Sequence, residues 1–108
     1  MARAETYFSR KYRKPIVTSY DDPGKFIKDW VRYSRVSVRE LSRRLKCSSG
    51  YMSSVINGLQ PLSIRMTKKI SHIMELTKRQ EEFFIILSVL SHNIEKKYRS
   101  LILRRRTF

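Results

Sequence analysis

The chain contains one cysteine, Cys47, so no intramolecular disulfide can staple it. His72 and His92 lie too far apart in sequence to form a metal constellation by spacing, and no metal or cofactor is expected. There is no glycine-rich phosphate loop, no Ser-His-Asp set and no pair of carboxylates in an apolar setting. These absences argue against an enzyme and leave no small-molecule substrate in evidence. The longest apolar run, Phe83 to Leu90, has eight residues where a bilayer-spanning helix needs about 20. The opening "MARAETYFSRKYRK" has no apolar segment after its charges, which speaks against a secretory signal and for a cytoplasmic protein.

Acidic residues are also scarce. Nine Asp and Glu face 24 Lys and Arg, for a formal net charge of +15. Such an imbalance points to a polyanion, and nucleic acid is the first candidate because cations on its phosphates release condensed counterions. Anionic membrane is the rival. With 108 residues the chain fits one domain, which would bury about 65% of its unfolded surface.

The charge is unevenly spread. Residues 37–47 carry four basic and one acidic side chain, residues 48–64 none, and residues 65–82 five and three. A neutral window, "SSGYMSSVINGLQPLSI", therefore lies between two basic flanks.

Capping residues and apolar periods predict an all-α fold of five helices. Asp22 and Pro23 open the first, with Phe26, Ile27, Trp30 and Val31 on one face. Ser37 and Glu40 form a capping box for a short second helix carrying Leu41 and Leu45. Ser48 caps a third, with Tyr51, Met52, Val55 and Ile56 apolar and Asn57-Gly58 as its stop. Ser63 caps the fourth, and Thr77 with Gln80 opens the fifth. The apolar seam of that last helix, Phe83, Leu87, Leu90, Ile94, Tyr98 and Leu101, runs for five turns. The aromatic cluster Phe26, Trp30, Phe83 and Phe84 is expected in the core. Residues 1–21 lack a helical period and read as an extended or disordered basic arm, residues 22–93 as the domain, and residues 94–108 as a helix extension or basic tail.

The segment "SVRELSRRLKCSSGYMSSVING", Ser37 to Gly58, resembles the helix-turn-helix of the lambda-repressor-like (Cro/C1-type) family, through Leu41, Leu45, Cys47, Ser48, Tyr51, Met52, Val55 and Asn57-Gly58. The resemblance covers roughly residues 22–90 and implies a five-helix DNA-binding domain. It departs from the family at Val38, where Gln is frequent, at Ser42, where Ala is common, and at Lys46, where Gly is common. It also implies that Ser49, Gly50, Ser53 and Ser54 lie nearest the bases, with Ser48, Asn57 and Gln60 near phosphates or flanking bases, and that Cys47 is a buried thiol. More distantly, the domain looks like the N-terminal part of a group of longer bacterial helix-turn-helix proteins, which would make this chain a stand-alone version without their downstream part.

Phosphate contacts would fall to Arg39, Arg43, Arg44 and Lys46 before the window and to Arg65, Lys68 and Lys69 after it. Arg10, Lys11, Arg13 and Lys14, interleaved with aromatics, could form a groove-tracking arm or an idle tail. The seam at Leu90, Ile94, Tyr98 and Leu101 suggests a homodimer in preference to a membrane-surface helix. Serines are compatible with several bases, so direct readout should be weak. The expected function is sequence-tolerant or moderately specific binding of double-stranded DNA, in transcription regulation or on the bacterial nucleoid. The alternative is a protein-interaction module, antitoxin-like or an adaptor, whose basic tails touch RNA or membrane.

Overall fold

The computed structural model describes residues 13–93. Among them are five α-helices, one 3-10 turn at Val17–Ser19 and no strand: α1 (Pro23–Ser34), α2 (Val38–Leu45), α3 (Ser49–Ile56), α4 (Ile64–Ile73) and α5 (Lys78–Asn93). The seam residues Ile94, Tyr98 and Leu101, the arm residues Arg10 and Lys11, and the whole of 94–108 lie outside the described residues.

Each helix begins where a side chain can accept an orphan backbone N–H. The Asp22 carboxylate accepts from Gly24 N, and the hydroxyls of Ser37, Ser48 and Ser63 accept from the N–H groups of Glu40, Tyr51 and Met66 at 3.0–3.1 Å. At α5 the capping box is complete, since Gln80 N donates to Thr77 Oγ1 and Thr77 N donates to Gln80 Oε1. At α2 it is half made: Ser37 caps, but the Glu40 carboxylate turns instead to Arg43 and Arg44.

Helices α4 and α5 pack together, α2 packs on α3, and α1 lies against both α3 and α5. Phe26, Ile27, Trp30, Leu41, Leu45, Met52, Val55, Ile70, Phe83, Phe84 and Leu87 fill the shared core, with Phe26 and Phe84 edge to face at a 5.1 Å centroid separation. Four buried hydroxyl residues need partners, and each has one. Ser42, Ser71 and Ser88 donate to the carbonyls of Val38, Thr67 and Phe84, and Thr67 donates to that of Ser63.

The domain starts earlier than residue 22. Val17 is fully buried in the core, its 3-10 turn packs on α5, and the Tyr20 ring packs against Phe26, tilted by 60° at a 5.3 Å centroid separation. The reading of 1–21 as one extended arm is therefore corrected for its last residues. The run Ile16-Val17-Thr18 has too few apolar residues to show a period, and its burial depends on a pocket made by distant helices.

Candidate nucleic-acid interface

The corner between α2 and α3 is built from the turn outward. Lys46 adopts the left-handed conformation, φ 57° and ψ 44°, which lets the Lys46 and Cys47 N–H groups bond back to Arg43 O and Ser42 O at 3.1 and 3.0 Å. A non-glycine residue there costs about 1–2 kcal/mol. Leu41, Leu45, Met52 and Val55 are each at most 2% exposed. Full burial of such a side chain contributes about 1.5–3 kcal/mol, so the packing across the corner outweighs the strain of the turn. Cys47 is half-buried against the core and not fully enclosed as the resemblance implied, because the turn holding it lies at the surface.

With Met52 and Val55 facing inward, α3 turns Ser49, Gly50 and Ser53 to the outside, with Ser54 half-buried at the edge. The helix ends where Gly58, at φ 75°, allows Leu59 N and Gly58 N to bond to Ser54 O and Val55 O. The Tyr51 hydroxyl donates to Pro61 O at 3.2 Å and braces the following loop, on which Asn57, Leu59 and Gln60 are exposed. Leu59 keeps 77% of its surface, a large apolar side chain exposed within the neutral window.

Arg39, Arg43, Arg44 and Lys46 are exposed on and just after α2, and Arg65, Lys68 and Lys69 on α4. Glu40 is the acid among the first group. Its carboxylate accepts from Arg43 Nη2 at 2.7 and 2.8 Å and from Arg44 Nε at 3.2 Å. The Arg43 hydrogen bond, foremost, holds the Glu40 carboxyl below its ordinary value. These are solvent-exposed pairs that contribute little to stability and leave both guanidinium groups open to exchange with a stronger anion.

Arg13 and Lys14 are not brought to this corner. They line a separate groove of about 430 Å³ with Tyr20, Asp29 and Arg32. A structural residue not singled out from sequence is Gly24, whose backbone approaches the end of α3 so closely that an added Cβ would lie 2.5 Å from Val55 O and 2.7 Å from Ile56 O. The presence of glycine inside a first helical turn, where a helix former would normally serve, was the available signal. Among the described residues no His, Cys, Asp and Glu cluster could hold a metal ion, and no helix is long and apolar enough to cross a membrane.

No family model matches the chain, and no curated protein or solved structure is significantly similar to it.

Proposed function

We propose that this chain is a double-stranded DNA-binding protein that uses α2 and α3 as a helix-turn-helix of the lambda-repressor-like kind, in transcription regulation or as a nucleoid-associated protein. The observation that carries it is the α3 surface: a face of Ser49, Gly50, Ser53 and Ser54 bearing no bulky or charged side chain, flanked on α2 and α4 by seven exposed cations. Only two of those seven, Arg43 and Arg44, are in ion pairs among the described residues. Small side chains permit close approach to a major groove, and the cations would supply affinity through phosphates without reading sequence. Ser48 already accepts the Tyr51 N–H, and its own O–H remains a donor for a phosphate at the helix start.

The test is binding of the full chain to random-sequence duplex and to a site selected from a random pool, across a salt series. Affinity at low salt that falls steeply with added salt is expected, with a modest advantage for the selected site. No binding at low salt would sink the proposal. A homodimer through the apolar seam that includes Leu90 would set two corners on one duplex; light scattering on a chain ending at Asn93 is then expected to give a monomer.

A second reading, a protein-interaction module, draws on Leu59 at 77% exposure and Ile64 at 48%, both within the neutral window. Leu59 and Gln60 also border a groove shared with Ser91 and His92 near the end of α5. On that reading Arg43→Glu with Arg44→Glu leaves partner binding intact; on the DNA reading the same pair abolishes most of the affinity.

A further inference from the structure

Helix α1 carries a second set of cations that the α3 reading does not use. Lys25, Lys28 and Arg32 are spaced by three and four residues, so they share the outer face of α1, and all three are exposed. Asp29 stands four residues after Lys25 and three before Arg32, where it would ordinarily neutralise either. Its carboxylate is instead taken by the Tyr20 hydroxyl, and neither cation forms an ion pair among the described residues. Burial, then the Asp29 bond, pushes the Tyr20 hydroxyl well above its ordinary pKa, so it remains a protonated donor at any working pH. Beside Asp29 and Arg32 the groove receives two more exposed cations, Arg13 and Lys14, from the segment that Val17 anchors in the core.

This surface extends along α1 away from its contact with α3. Gly24 abuts the end of α3 in the first turn of α1, whereas Lys28 and Arg32 lie roughly 6 and 12 Å further along the helix and about 40° and 80° round it, at 1.5 Å and 100° per residue. The 3-10 turn that completes the groove packs on α5.

We infer that Arg13, Lys14, Lys28 and Arg32 form a second phosphate-binding face, which takes the backbone of a second DNA duplex and lets one molecule join two segments. The inference rests on the DNA-binding reading of α3. The Tyr20–Asp29 bond orients that carboxylate toward the hydroxyl, so that Asp29 forms no ion pair with Arg32 and the guanidinium stays open to a phosphate.

The experiment uses the full chain, a duplex of mixed sequence fixed to beads, and a labelled second duplex in solution at about 100 mM salt, where phosphate contacts still dominate. The wild type is expected to occupy the fixed duplex and to retain the labelled one. Lys28→Glu with Arg32→Glu should occupy the fixed duplex within about threefold of wild type but lose retention of the second by tenfold or more, because two cations have been reversed on one face only. Tyr20→Phe, which changes no charge, should also weaken retention by freeing Asp29 to pair with Arg32, and circular dichroism would show whether each variant is folded. A wild type that leaves the fixed duplex unoccupied refutes the α3 reading. One that occupies it yet captures no second duplex, captures single-stranded RNA in preference, or bridges equally well with Lys28 and Arg32 reversed refutes the second face alone.

Discussion

Replacing Gly24 by alanine should destabilise the protein, although alanine is the better helix former. The new Cβ would sit 2.5 Å from Val55 O, roughly 0.9 Å short of where ordinary contact begins at 3.4 Å, and 3.0 Å from Ile56 C. The obstacle is backbone at the end of α3, so it cannot swing aside as a flexible side chain would. Overpacking of this kind costs about 1–3 kcal/mol, and a backbone obstacle belongs near the upper end. Alanine returns at most about 1 kcal/mol of helix propensity, and less in a first turn. The expected net loss is about 2 kcal/mol, or a fall in Tm of roughly 8–16 °C for a domain of this size. Gly50 is the matched control, because its Cβ would meet nothing nearer than Ser48 Oγ at 4.0 Å. Gly50→Ala should raise Tm by a few degrees through propensity of about 0.5–1 kcal/mol, yet weaken DNA binding by adding bulk to the exposed α3 face. Thermal melts followed by circular dichroism measure both. A Gly24→Ala protein that melts at or above the wild-type temperature would refute the close approach of α1 to α3.

Glu40→Gln should free Arg43 and Arg44 for phosphate and tighten DNA binding several-fold at low salt, read by fluorescence anisotropy; weaker binding would show that the carboxylate orients the two arginines productively. Because the folded-state pKa of Glu40 is lowered, its small contribution to stability is present above the ordinary glutamate range and lost as pH falls through the folded value, so melts of Glu40→Gln should lack that part of the acid dependence. Lys46→Gly should relieve left-handed strain worth about 1 kcal/mol while making the salt slope shallower by about 0.9 for one lost phosphate contact. Arg43→Glu with Arg44→Glu should lower duplex affinity by about 100-fold or more at 50 mM salt, and an unchanged affinity would move the interface off α2.

Much of this architecture is written locally. Asp22, Ser37, Ser48, Ser63 and the Thr77–Gln80 pair mark all five helix starts, because a cap acts on an N–H only two or three residues away. The apolar stripes likewise identify the inner faces of α1 to α3, and with them the neutral outer face of α3, since 3.6 residues per turn leave little choice once one side is buried. The basic flanks around the window are read directly from residue order.

What needed the tertiary structure involves a choice among partners that the residue order leaves open. Glu40 had both Ser37 N and two arginines within local reach and took the arginines. Asp29 had Lys25 and Arg32 one turn away on its own helix and took Tyr20 from the segment before it, because the folding of Val17 into the core brings that hydroxyl to it. Gly24 meets α3 only because α1 packs across its end. Local capping and periodicity determined where the helices lie in the chain; packing between elements decided that Asp29 meets Tyr20 and that Gly24 meets the end of α3, because those contacts join elements whose mutual placement no single helical period contains.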